Sequence, residues 1–482
     1  MRDPAQPSWH GDAHEQELLA QSSMSFLLFT LYLALNFVRP VELLAPELGE
    51  LRPMLWLWLA AFLAACASAV RQQRVGASSL HFLMLGGLML AIFASQIAQG
   101  WVGGAVGALA QFSSSSMLFV LGALNLTSMR RVAVTANVVA MSVLCMALIG
   151  IYSYQTGWRA ELLVMAQNTY DDTLDADIAP EPGTAPAQDT SGRYLWRLRA
   201  LGFLSDPNDF AQAMILSLPL LLIGYRPAHK LRTLATIVLP ASILLYAVLL
   251  THSRGALVSI AAMLFVGARR VLGVGKTLGL GAVFGLAILA TSFGGGREFS
   301  TQEESAGDRI DAWYAGFMMF KSHPLFGIGY GNFTDHHPLT AHNSFVLCLA
   351  ELGLVGYAFW IGMLVLAFIG LRRAREAAET DTSRVAGLLT IALVGFLVCA
   401  WFLSRTYQPT LYLLLAMCAA TWCNSLRGNS ATAGEASIQA RALMALQSPW
   451  RWPWLKGMAL SMAGSVLLVQ AFIVAKRVGG VG

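Results

Sequence analysis

Three side chains stand out against the apolar sequence around them: Arg254 in THSRGALVS, Arg309 in DRIDAWY and His342 in AHNSF. A guanidinium fork binds phosphate through paired hydrogen bonds and stays charged at any working pH. A neutral imidazole accepts a proton from a hydroxyl. Two arginines and a histidine together suit a lipid-linked diphosphate donor and a hydroxyl acceptor. Arginines that neutralise the leaving pyrophosphate leave no need for a metal, and the acidic residues nearby show no DxD or similar metal spacing. Arg254 and His342 also have plainer readings. Arg254 sits in a tight Ser-Arg-Gly turn that would anchor two helices, and a histidine at a helix start often serves as a cap. His336, His337, His323 and His252 compete with His342 as the base.

The surrounding chain dictates where this chemistry happens. Of 482 residues, 56% are hydrophobic and 12% charged, with mean hydropathy +0.58. A soluble domain carries roughly 25% charged residues. The composition is that of a polytopic membrane protein. The six cysteines lie in apolar runs without metal or CxxC spacing and read as small buried hydrophobes. A span needs about 20 mainly apolar residues. Spans are expected near 23–38, 54–70, 80–97, 105–127, 132–153, 208–224, 233–251, 256–268, 277–293, 343–370, 385–402, 410–425 and 457–475.

Orientation follows from the basic residues. Arg71/Arg74, Arg130/Arg131, Arg226/Lys230/Arg232, Arg269/Arg270/Lys276, Arg372/Arg373/Arg375/Arg384 and Arg427/Arg441/Arg451/Lys456 fall in alternate loops. The positive-inside rule makes that side cytoplasmic. The long loops 154–207 and 294–342 then face outward. Most arginines are explained by this pattern, and lone outward ones such as Arg39, Arg52 or Arg297 suit lipid headgroups. Arg254, Arg309 and His342, with Arg197 and Arg199 ahead of the span at Asn208, stand at the outer ends of different helices and are candidates to line one cavity. Ionisable residues held in such places are functional candidates.

The expected organisation is a cytoplasmic tail 1–22, membrane helices 23–153, an outward loop 154–207, a core 208–425 containing loop 294–342, a cytoplasmic linker 426–456 and a last helix in 457–482. Residues 169–192 form an acidic insert rich in Pro, Ala and Thr. Ile310 to Phe320 suits an amphipathic helix on the membrane surface, with Trp313, Tyr314, Phe317 and Phe320 inward. The GIGYG run at Gly327 to Gly331 lacks the Thr-Val and pore-helix context of a potassium filter.

Four stretches carry a resemblance: RALGFLSDPNDFA (Arg199 to Ala211), THSRGALVS (Thr251 to Ser259), DRIDAWYAGFMMFKSHPLFGIGYGNF (Asp308 to Phe333) and AHNSFVLCLAELGLVG (Ala341 to Gly356). In order and in outer-face placement they are similar to the motifs of the O-antigen ligase and O-antigen polymerase superfamily of bacterial envelope glycosyltransferases. The resemblance covers about 199–360. It implies an all-α GT-C-type bundle of about 12–13 membrane helices in the inner membrane, with the site facing the periplasm. It implies metal-independent, inverting transfer of glycan from undecaprenyl pyrophosphate to an acceptor hydroxyl, with no cofactor and no nucleic-acid partner. Carried onto this chain, Arg254 and Arg309 hold the pyrophosphate and His342 activates the hydroxyl. Arg199, Asn208, Asn343 and Glu351 are the expected substrate-binding positions, with Glu351 also readable as orienting or structural.

Members of the superfamily differ in acceptor: lipid A core for ligases, another repeat unit for polymerases, a protein Ser or Thr for a third branch. The ligase reading is preferred here, and the residues do not separate the three. A polysaccharide flippase or exporter is the non-enzyme alternative. It would place ionisable groups at mid-membrane depth, where this sequence has almost none.

Overall fold

Lipid offers the backbone no hydrogen-bond partner, so apolar runs of membrane length close their own bonds as helices. The computed structural model describes residues 23–72, 74–168, 183–225, 229–269, 306–377, 380–428 and 453–479, with a few positions between 273 and 279. The expected tail 1–22, the span 277–293, positions 294–305, most of the linker 426–456 and the acidic part of the insert lie outside the described residues.

The helices are α1 (Ser23–Val38), α2 (Pro53–Gln72), α3 (Ser79–Ala98), α4 (Val102–Asn125), α5 (Met129–Thr156), α6 (Pro207–Leu221), α7 (Lys230–Leu250, with a π turn at Leu234–Val238), α8 (254–269), α9 (Ala306–Ser322), α10 (Ser344–Ala377), α11 (Thr380–Ala400), α12 (Pro409–Gly428) and α13 (Pro453–Gly479). Each expected span other than 277–293 coincides with one of them. Among the described residues, nine helices are long and apolar enough to cross a membrane. The chain is an all-α polytopic membrane protein, with one small addition. Strands β1 (Val164–Asn168) and β2 (Tyr194–Leu198) pair antiparallel, Val164 opposite Leu198, in the loop after α5. The loop reading missed this pair because five-residue apolar runs carry no decisive period. Trp196 and Leu198 point inward from β2, and Leu198 rests on Gly150 of α5, where a Cβ would lie 2.9 Å from the leucine.

The chain divides into two compact units built from alternating segments. One comprises Met1–Gln72, Arg130–Glu298 and Leu388–Cys399; the other comprises Gln73–Met129, Phe299–Gly387 and Ala400–Gly482. In the first, α1 packs on α2 and α6 on α7. In the second, α10 packs against α3, α12 and α13, and α4 against α12.

The expected helix over 310–320 forms, and it has helical partners that the sequence did not name. Helix α9 packs on α10 and α13, not on lipid alone. Its buried residues are Ala312, Trp313, Gly316 and Met319, while Tyr314, Phe317 and Phe320 are only partly covered. Trp313 meets Trp401 and Phe472 edge-on, and Lys476 near the end of α13 pairs with Asp311 at 2.7 Å and donates to the Gly307 carbonyl at 2.7 Å. Phe472 places α13, distant in sequence, against Trp313.

Candidate active site

In the first unit, a sharp turn joins α7 to α8. Thr251 ends α7 with its hydroxyl on the Val248 carbonyl, His252 takes a left-handed backbone (φ 52°), Ser253 is buried and Arg254 opens α8 with its side chain exposed. Arg197 on β2 holds this turn. Its Nε donates to the Thr251 carbonyl at 3.0 Å and its Nη2 to Asn208 Oδ1 at 3.0 Å. Asn208 lies in the first turn of α6, whose cap Asp206 accepts from the Asn208 amide at 2.7 Å. A side-chain cap satisfies an amide the helix leaves open. The hairpin, the start of α6 and the Arg254 turn are therefore one frame. Arg199 belongs to the same frame: its Nε and Nη2 donate to the carbonyls of Leu162 and Glu161.

Arg309, His342, Asn343 and Glu351 belong to the second unit. Arg309 lies in the first turns of α9, half-buried, with Nε covered and unpaired. Gly316 lets α9 approach α10, since a Cβ there would stand 2.6 Å from Val346.

His342 precedes α10 with φ 43°, a left-handed conformation that a non-glycine residue holds at a cost of roughly 1–3 kcal/mol and that clusters at functional sites. The two residues after it are fixed. Asn343 caps α10, its Oδ1 accepting from the amides of Phe345 at 2.9 Å and Val346 at 3.1 Å. Its Nδ2 is buried and has no hydrogen-bond partner among the described residues. Ser344 is fully buried and bonded to the 403–406 segment.

Helix α10 then breaks at Gly353 (φ 61°, ψ −162°). A break inside a span leaves backbone groups that no water reaches. The Pro324–Gly329 stretch supplies their partners. Ile328 and Gly329 amides donate to the Ala350 and Glu351 carbonyls at 3.0 and 3.1 Å, and the Leu354 and Val355 amides donate to the Pro324 and Leu325 carbonyls at 2.9 and 3.1 Å. The contact is backbone on backbone, so it needs glycine. A Cβ on Gly327 would lie 2.3 Å from the Glu351 carbonyl carbon, and one on Gly353 2.5 Å from that of Leu325. Gln96 and Gln99, at the end of α3, donate to the Tyr330 and Gly327 carbonyls.

Glu351 is 2% exposed and lies under this loop. Its carboxylate accepts from the Tyr407 hydroxyl at 2.9 Å and from the amides of Phe333 and Gly331. Burial, and then Glu351 itself, push the Tyr407 hydroxyl well above its ordinary value, which keeps it a donor. Tyr407 also lies against Tyr330, with ring centroids 4.5 Å apart.

The family model described as O-antigen ligase matches residues 213–361. Residues 213–361, under a third of the chain, are similar to that family. No curated protein matches the chain. The ligase domain encloses Arg254, Arg309, His342, Asn343 and Glu351; Arg199, Asn208 and the 403–407 segment lie beyond it. Together with the spans it makes this a multi-pass, ligase-like membrane enzyme of glycan transfer.

Sequence reasoning missed Ser344, Thr406, Tyr407 and Arg405. For Arg405 a signal existed: the loop between the spans 385–402 and 410–425 faces outward by the same charge pattern that singled out Arg254. For the uncharged three, only the folded contacts reveal a role.

Proposed function

We propose that this protein transfers a glycan from undecaprenyl pyrophosphate to an acceptor hydroxyl at the periplasmic face of the bacterial inner membrane. The O-antigen ligase match enclosing Arg254, Arg309 and His342 is the observation that carries this reading. Arg254 and Arg309 bind and neutralise the pyrophosphate, in place of a metal. His342 removes the proton from the acceptor hydroxyl, whose oxygen attacks the anomeric carbon from the face opposite the departing undecaprenyl pyrophosphate and inverts it. The uncommitted Nδ2 of Asn343 offers a donor to substrate beside His342. Asn208 holds the donor side through its bond to Arg197. Arg199 spends its guanidinium on two carbonyls, and Glu351 is enclosed by protein donors, so both are assigned to the frame and not to substrate contact.

The test is reconstitution of the purified protein in liposomes with undecaprenyl-pyrophosphate-linked glycan. Lipid A core, a second donor molecule and a Ser/Thr peptide are offered separately as acceptors. Ligase-type activity is expected with the lipid A core, at a rate unchanged by a chelator. Product only from the second donor or the peptide would reassign the acceptor. No product from any, or a rate abolished by chelation, would overturn the mechanism.

A further inference from the structure

Residues 403–406 join α11 to α12, outside the matched ligase segment. They grip the chain on both sides of His342. Thr340 donates to the Ser404 hydroxyl at 2.8 Å. Ser344 donates to the Leu403 carbonyl at 2.6 Å and accepts from the Arg405 amide at 2.7 Å. The Thr406 hydroxyl donates to the Ser344 carbonyl at 2.7 Å. Ser344 and Thr406 are both fully buried, so these bonds compete with no solvent. Between the gripped points the backbone of His342 is left-handed, a conformation that persists only where its surroundings over-determine it.

We infer that the Leu403–Thr406 segment is a clamp that forces His342 into this backbone and thereby aims its imidazole, with Ser344 and Thr406 as positioning residues for the transfer step. The inference rests on the proposed role of His342 as the base. A base acts only within hydrogen-bond reach of the proton it takes, and errors of about 1 Å in placement cost rates heavily. Loss of the clamp should therefore act on turnover, while donor binding, carried by arginines, is spared. Nothing in the 403–406 sequence announces this part. It follows from where the fold brings the segment.

The test uses the full-length reconstituted enzyme and the variants Thr406→Val, Thr406→Ser, Ser344→Ala and His342→Ala. Thr406→Val and Ser344→Ala are expected to lower kcat about 10- to 100-fold with KM for the donor within about twofold, in line with the cost of a misplaced catalytic group. Thr406→Ser keeps the hydroxyl and is expected to restore most of kcat. The rate of His342 modification by diethyl pyrocarbonate, read by peptide mass spectrometry, should shift several-fold in Thr406→Val and return in Thr406→Ser. Unchanged kcat in both clamp variants while His342→Ala is inactive would overturn the clamp and leave the base intact. Full activity in His342→Ala would remove the base, and the clamp as a catalytic device with it. Equal loss in Thr406→Ser and Thr406→Val, with unchanged His342 labelling, would reduce the contact to a stability role and overturn the proposal.

Discussion

His336, His337 and His342 are near neighbours in sequence with different surroundings. His336 is exposed and its Nδ1 lies 3.0 Å from the Asn332 carbonyl; the Nδ1 of His337 lies within its own turn, 2.9 Å from the Leu339 carbonyl. Only His342 is gripped from a distant segment and held left-handed. His342→Ala is expected to cost about 10²–10⁴-fold in transfer rate, the usual worth of a general base, with His336→Ala and His337→Ala close to wild type. A near wild-type rate for purified His342→Ala would end that assignment. The arginines are tested by conservative change. A lysine carries the charge without the fork, so Arg254→Lys should lose most activity at equal protein level. Arg309→Lys should lose less. Full activity in both would leave no clamp on the pyrophosphate.

Two stretches of the ligase domain explain each other at the scale of elements. PLFGIG and ELG look unrelated in sequence, yet each completes the backbone bonds of the other around the Gly353 break. The break opens the helix inside a membrane, and the loop closes it. Gly353→Ala is expected to lower the thermal unfolding midpoint in detergent, by strain of roughly 1–3 kcal/mol plus the clash with Leu325. Gly86→Ala is the control. Gly86 is helical with open space where a Cβ would go, and alanine there should be neutral or mildly stabilising. A Gly353→Ala protein as stable as Gly86→Ala would show that the break does not depend on that conformation.

Within each unit, bonds between distant segments show which helix ends lie together. In the second unit, the following bonds among the described residues join segments expected on the same side. Gln96 and Gln99 reach Tyr330 and Gly327, Tyr407 reaches Glu351, and Lys476 reaches Asp311, all at the outward ends. Asn424 reaches Leu126 and Arg427 reaches Val75, both at the inward ends. In the first unit, Arg197 joins Asn208 and Thr251 outside, and Arg131 lies over Phe26 inside. In a background without native cysteines, Thr334→Cys should label with a membrane-impermeant thiol reagent in intact spheroplasts. Arg71→Cys should label only after lysis. The reverse pattern would invert the topology and remove the periplasmic site.

Hydropathy by itself determined the spans and the all-α membrane class, because lipid forces an apolar run of that length to bond within itself. Charge asymmetry supplied the expected sidedness, and residue type marked Arg254, Arg309 and His342, because an arginine or histidine expected off the cytoplasmic face needs a reason to be there. Tertiary structure alone decided the rest. Arg197, Asn208 and Thr251 meet through β2, a strand too short to read from five residues. Trp313 was expected inward, but its partners Trp401 and Phe472 are brought to it only by the fold. Ser344, Thr406 and Tyr407 are ordinary uncharged residues whose importance lies in what they touch. Long-range contacts of this kind leave no period and no motif: each side chain is local, and its partner is chosen only when the chain closes on itself.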